Sequence, residues 1–295
     1  MYNQIDSNKR RTWALIIIFI VVILAIGWFA GYYFEFGYGA VIFALIFSLL
    51  MTTFSYYGGA KVALMSAGAK KIEKNDNPYL YRMVENLTIT AGLPMPDVCI
   101  IPSLAINAFA CGRDPQHSSV AVTQGAIEKL ENEELEGVIA HELSHIKNYD
   151  IRLMTIVVVL VGSIAIMADL FFRGMFFGGG RKSDNNKGGG ILLIIGLILI
   201  ILSPIIAKLI QLAISRRREY LADASGSLLT RYPEGLARAL EKISQDTAVM
   251  DRASSATAHL YISSPFKNSG KFLANAFSTH PPVEQRIAKL RGMIR

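Results

Sequence analysis

Two uncharged stretches separated by a single glutamate set the first constraint on this chain. Thr12 to Phe34 is 23 residues without a charge, Glu35 interrupts, and Phe36 to Ala60 adds 25 more. A helix crossing the hydrocarbon core of a bilayer needs about 20 apolar residues. Each stretch can therefore span, and Glu35 leaves room only for a tight hairpin. The first stretch exceeds the roughly 7–15 residues of a signal-peptide core, and a second follows at once, so it reads as an uncleaved anchor. Trp13, Trp28, Tyr32 and Tyr33 lie near its ends, where amphipathic rings favour the headgroup level. Lys9, Arg10 and Arg11 precede the hairpin, Lys61, Lys70 and Lys71 follow it, and its loop has no basic residue. The positive-inside rule then puts both ends in the cytoplasm.

Two later apolar runs are shorter. Leu153 to Ala168 has 16 uncharged residues, and Ile191 to Ala207 has 17 and contains Pro204. Each is either a short span or a buried core helix. The Gly-rich segment 178–190 between them reads as a solvated linker; its Arg181, Lys182 and Lys187 sit poorly outside the cell, while Arg216, Arg217 and Arg218 pull the other way. The chain carries 30 Lys+Arg against 23 Asp+Glu. Much of that excess flanks apolar runs, which argues for membrane anchoring and against a nucleic-acid partner. Cys99 and Cys111 form neither a C-x-x-C pair nor a disulfide framework, so two free thiols in a reducing compartment are expected.

The remaining sequence reads as mixed α and β. Asn77-Pro78 starts a helix, with Tyr81, Val84, Leu87 and Ile89 as its apolar side and Gly92 and Pro94 at its end. Val98–Ile101, Ile106–Cys111 and Ser119–Thr123 read as short strands, followed by a short helix over Gly125–Leu130. Asn132 is expected to cap a longer helix whose first turn holds Glu133, Glu134 and Glu136. Pro233 opens another, with Leu236, Leu240 and Ile243 on one face, and the last helix follows Pro281-Pro282.

The Asn132 helix contains His141-Glu142-Leu143-Ser144-His145, the pattern H-E-x-x-H. Residues four apart share a helix face, so both imidazoles can hold one zinc ion, with Glu142 beside them as general base for a metal-acidified water. Three such polar groups in an apolar helix are costly without a ligand. A catalytic zinc takes three protein ligands. No histidine follows between Ile146 and Asp150, so a carboxylate from a second helix is sought. Glu219 is the best candidate, and Asp223, one turn later, could hold the free ring nitrogen of a zinc histidine. Asn148 and Asp150 are expected to brace the helix end or the metal histidines, and Arg218 to pair with an acid near the site. His117 and His259 read as surface residues, and Cys99 as a small core hydrophobe.

The stretches Val138–Asp150 (VIAHELSHIKNYD), Arg218–Asp223 (REYLAD), Asn107–Gly112 (NAFACG) and Thr279–Pro282 (THPP), with the amino-terminal hairpin, resemble the M48 family of membrane zinc peptidases. The resemblance covers nearly the whole chain. It implies His141, His145 and Glu219 as ligands of one zinc per chain and Glu142 as catalytic base. For His280 it implies a place near the metal, as a removable ligand or a donor to the reacting carbonyl; the alternative is a surface histidine before a Pro-Pro turn. It also implies that Asn107, Ala108, Phe109 and Ala110 lie on an edge strand that binds substrate as an added strand, the alternative being an ordinary inner strand. Cys111 departs from the family, where Thr is common; a possible oxidation site near the cleft is the expected consequence.

The expected architecture is α+β, mainly α: about four transmembrane helices and a zincin-like (gluzincin) catalytic domain with a small β-sheet. Residues 1–60 form the hairpin, and 61–295 the peptidase domain, interrupted by 151–214. His145 and Glu219 flank both weaker runs, so the chain between them crosses the bilayer zero or two times if they share a metal. The function implied is quality control of misfolded or damaged membrane proteins in the bacterial cytoplasmic (inner) membrane, with the lipid bilayer as a partner and the site facing the cytoplasm. Homo-oligomerisation is left open. Two alternatives remain: a prenyl-protein peptidase, for which four spans are too few, and a non-enzymatic adaptor with a closed zinc site, for which neither Cys is suitably spaced.

Overall fold

The computed structural model describes residues 2–33, 35, 37–177, 216–250, 252, 256–265 and 281–294. The linker 178–190, the fourth apolar run and His280 lie outside the described residues. Helices α1 (Tyr2–Tyr33) and α2 (Tyr38–Ala67) contain the two stretches long and apolar enough to cross a membrane, Ile5–Phe29 and Tyr38–Ala67. Their close approach depends on Gly27, where a Cβ would lie 2.4 Å from that of Ala44. Small residues at such crossings let helices meet in lipid, where no hydrophobic drive between them exists. Trp13, Ile17, Val21 and Trp28 point away from the protein, whereas Leu15, Ile16, Phe19 and Ile23 are buried.

The buried stripe of α1 packs on α6 (Asp150–Phe177), through Leu153, Ile156, Val157, Leu160 and Val161. The third apolar run thus begins inside the protein: nearly every residue from Ile151 to Val161 is enclosed. Ser55 of α2 donates to the Ile156 carbonyl at 3.1 Å, tying the hairpin to the same helix.

A four-stranded sheet follows in the order β1-β2-β4-β3: β1 (Lys70–Lys71), β2 (Asp97–Ile101), β3 (Ala108–Asp114) and β4 (His117–Thr123). β2 and β4 run parallel, the other pairs antiparallel, and β3 is an edge. Strand side chains alternate between faces, and here both faces are covered. Ala108 and Ala110 meet α3 (Pro78–Ala91), α5 (Asn132–Lys147) and α8 (Pro233–Gln245). Phe109 and Cys111 meet Ala63 and Ala67 of α2, Met154 and Val158 of α6, and Tyr261. The inner end of the hairpin therefore forms one wall of the sheet. Among the described residues, the remaining α-helices are α4 (Gln124–Lys129), α7 (Arg216–Thr230) and α9 (Val283–Arg291).

Some local expectations are corrected. The cap of α5 is Glu131, not Asn132: its carboxylate accepts from the Glu134 amide, while the Glu134 carboxylate accepts from the Glu131 amide, a reciprocal box. Lys242 of α8 sits 2.8 Å from buried Glu134 and compensates its charge. Ile89 is exposed; the buried stripe of α3 is Leu80, Met83, Val84, Leu87 and Ala91, a helical spacing that Ile89 breaks. His259 is not at the surface. It is buried on a 3-10 turn (Ala258–Leu260), with Nε2 3.0 Å from the Met154 carbonyl. Cys111 is fully buried, and burial pushes its thiol far up, so little thiolate is available for oxidation.

Candidate metal centre

Helix α5 carries His141, Glu142 and His145, all buried. His141 Nε2 and His145 Nε2 are 3.2 Å apart, with the rings edge to face. Glu219, in the first turn of α7, brings Oε2 to 3.8 Å from His141 Nε2 and Oε1 to 3.6 Å from His145 Nε2. The edge of a tetrahedron with metal–ligand bonds near 2.0–2.1 Å is about 3.3 Å. The three donors, one atom each within 4.8 Å of the others, fit such an ion with a small inward movement of the carboxylate.

What brings α7 to this distance is Gly226. A Cβ there would lie 2.9 Å from the His141 amide nitrogen, so only glycine lets the two helix backbones touch.

The far side of each imidazole is held by a carboxylate. His141 Nδ1 lies 2.9 Å from Asp223 Oδ1, and His145 Nδ1 lies 3.0 Å from Asp150 Oδ2. These carboxylates favour a proton on each Nδ1 and turn both Nε2 atoms toward each other and Glu219. Asp223 is gripped by Arg286 of α9 through two contacts, 2.6 and 2.9 Å, and Arg286 also donates to the Ile262 carbonyl at 3.1 Å. Burial would raise the Asp223 carboxyl, but Arg286 and His141 hold it down to about 2. Asp150 receives Arg218 Nη1 at 3.3 Å and the Asn8 carboxamide at 2.7 Å.

The field of the cluster favours a cation. Burial disfavours protonated His145, yet the carboxylates of Asp150, Glu219 and Glu142 outweigh it and raise its pKa to about 9. Burial pushes the Glu142 carboxyl up to about 7, partly offset by His145. Glu142 meets the backbone of Ala110, while its buried Oε1 has no hydrogen-bond partner among the described residues.

The structure thus brings together His141, Glu142, His145, Glu219, Asp223, Asp150 and Arg218. Asn148 is the C-cap of α5 and takes part through its backbone carbonyl, which accepts from Asn8 at 2.9 Å. Asn107, Ala108, Phe109 and Ala110 are buried at the start of β3. Ala110 meets Glu142 through its backbone. Ala108 gives its carbonyl to the Ile262 amide at 3.0 Å, Asn107 donates to the Ser263 carbonyl at 3.0 Å, and Phe109 meets Tyr261 edge to face on the opposite face of the sheet. Two participants escaped the sequence reading, Arg286 and Asn8. Arg286 shares its helix face with buried Leu290, and Asn8 shares the stripe of Thr12, Leu15, Phe19 and Ile23; a polar residue in apolar register was the available signal.

Residues 74–294 match peptidase family M48. Protease HtpX homologues from Tropheryma whipplei (strain Twist) and Lactobacillus acidophilus are 44% and 45% identical, over 99% of this chain and 98% and 100% of theirs. The homologue from Dictyoglomus thermophilum is 42% identical, over 99% of this chain and 94% of its own. The crystal structure of S. mikatae Ste24p shares the fold, with a TM-score of 0.50, 16% identity, and coverage of 98% of this chain and 67% of that one. With three donors placed so that they could hold a metal ion, two membrane-length helices and this kinship along almost its entire length, the chain belongs to peptidase family M48 and is a membrane metalloprotease.

Proposed function

We propose that the chain is a zinc-dependent endopeptidase of the bacterial cytoplasmic membrane that cuts misfolded or damaged membrane proteins. The observation that carries the reading is the meeting of His141, His145 and Glu219, from α5 and α7, beside the buried carboxylate of Glu142. In this reading those three residues hold one zinc ion. When bound, zinc supplies Lewis acidity toward a peptide carbonyl and toward water. Glu142 takes the proton of the attacking water and returns it to the leaving nitrogen. Asp223 and Asp150 keep the imidazoles in the tautomer that offers Nε2, Arg286 holds Asp223, and Arg218 helps hold Asp150.

Substrate binds as an extended strand along the outer edge of β3, over Asn107–Ala110, next to Glu142. Its backbone replaces the bond between Ile262 and Ala108. Main-chain recognition of this kind tolerates many sequences, as a scavenger of damaged proteins requires. His280 is assigned to the reacting carbonyl by resemblance alone. Four spans, two from residues 1–60 and two from 151–214, anchor a zincin-like peptidase domain of residues 61–295 that the latter pair interrupts. The contact between Asn8, which precedes the first uncharged run, and Asp150 supports a site on the amino-terminal, cytoplasmic side.

Metal analysis with a casein-cleavage assay tests this. Glu142→Gln should retain one zinc per chain and lose turnover by at least about a hundredfold. Glu219→Ala should lose zinc. Cleavage by Glu142→Gln at the wild-type rate, or full zinc content in Glu219→Ala, would reject the assignment.

A further inference from the structure

Asn8 lies 140 residues from the α5–α6 turn in sequence, yet its side chain is buried against that turn. Its amide nitrogen has two hydrogens and both are used: one donates to Asp150 Oδ1 at 2.7 Å, the other to the Asn148 carbonyl at 2.9 Å. Its oxygen faces Arg218 Nη1 at 3.4 Å. With two acceptors on one side and a cation on the other, the orientation of the carboxamide is fixed by its surroundings. The other oxygen of Asp150 meets His145 Nδ1 at 3.0 Å. An unbroken line of contacts therefore runs from α1, one turn before the uncharged run that starts at Thr12, to a histidine of the candidate metal site.

We propose that Asn8 is a positioning residue of the peptidase: it orients the Asp150 carboxylate, which in turn aims His145, so that the membrane hairpin is part of the metal-binding apparatus. The proposal rests on the reading of His145 as a metal ligand. Of the donors on Asp150 Oδ1, Asn8 is nearer than Arg218, at 2.7 against 3.3 Å. It also donates to the carbonyl of Asn148, the C-cap of the ligand helix, so it ties Asp150 and the end of α5 to each other. An aspartate at position 8 fits the same space and inverts the pattern, placing a second carboxylate against Asp150 and against a carbonyl. An alanine leaves both acceptors buried without this donor. Partners that orient metal-binding histidines commonly contribute ten- to a hundredfold in metal affinity.

The experiment uses the full chain in detergent. Zinc affinity is measured by competition with a chromogenic chelator, and the ligand geometry is read from the visible spectrum of the cobalt(II)-loaded protein. Wild type, His145→Ala, Asn8→Ala, Asn8→Asp and Leu15→Ala are compared, each with its melting temperature. His145→Ala tests the underlying reading: if it binds zinc as wild type does, that reading fails. With that reading intact, Asn8→Ala and Asn8→Asp should bind zinc about tenfold more weakly and show an altered cobalt spectrum. Leu15→Ala removes apolar packing from the same buried stripe of α1 and should lower the melting temperature with affinity and spectrum unchanged. Wild-type affinity and spectrum in both Asn8 variants, or an equal loss of affinity in Leu15→Ala, would overturn the proposal.

Discussion

Arg286 shows how much of the centre rests on one side chain. It is buried against Asp223, and that carboxylate is the partner of His141 Nδ1. Removing one member of a buried ion pair leaves the other charged and desolvated, which costs about 3–5 kcal/mol. Arg286→Met should lower stability by that amount in denaturant unfolding, and it should also weaken zinc binding, because Asp223 is then free to turn from His141. Arg286→Lys should restore little, since an ammonium cannot reproduce the two parallel contacts and the third to Ile262. A variant that unfolds normally and binds zinc normally would show that Asp223 needs no counter-ion. The paired histidines of the candidate metal site were legible in the sequence because helical spacing alone puts His141 and His145 on one face. Arg286 was not, because its partner lies 63 positions away and only packing brings them together.

Helix contacts decide whether those side chains meet. α7 contributes Glu219 only because Gly226 lets it lie against the backbone of α5. Gly226→Val should force the helices apart at an overpacking cost of about 1–3 kcal/mol. Zinc content should fall more than the melting temperature suggests, since Glu219 moves with its helix; a destabilised protein with full zinc occupancy would contradict this. The approach to β3 has its own lock. Asp246, just past α8, accepts from the Ile106 amide at 2.7 Å and from Lys129 at 3.0 Å. Burial alone would raise its carboxyl, but these bonds outweigh burial and bring it below 3.8. A depressed folded-state pKa means the contribution is present above the unfolded value and is lost as pH falls through the folded one. Asp246→Asn should therefore cost about 1–3 kcal/mol at pH 7. Below pH 3.8 the difference from wild type should shrink, and chemical denaturation across that range checks it. Strand and helix positions were readable from apolar runs and Pro or Gly punctuation. The cap at Glu131 was not, because Asn132 is the commoner capping residue type and the reciprocal box draws in Glu134, whose buried charge needs Lys242 of α8; the burial of His259 was not, because its partner is the Met154 carbonyl of α6.

At the scale of the whole molecule, the hairpin does two jobs that its hydropathy alone could not reveal. One face of α1 meets α6, and through Asn8 it reaches Asp150 beside the candidate metal site; the other carries Trp13, Ile17, Val21 and Trp28 outward. The uncharged runs made the membrane legible, because length and lack of charge are local properties. The division of α1 into a protein face and a lipid face needed α6, whose own apolar run is turned inward where it is described. That division gives a direct test. The chain has two tryptophans, Trp13 and Trp28, both on the outward face of α1. They are 15 residues apart, about 22 Å along a helix, so in a bilayer with a core of about 30 Å they flank its middle. In vesicles, lipids brominated near the headgroup should quench their emission more than lipids brominated near the chain ends. Val21 lies between them on the same face. Val21→Trp with Trp13→Phe and Trp28→Phe should reverse the order, with the deep label quenching most. A helix lying flat on the membrane would keep all three positions shallow, so quenching of Trp at position 21 by the headgroup label would refute the crossing of α1 and with it the hairpin.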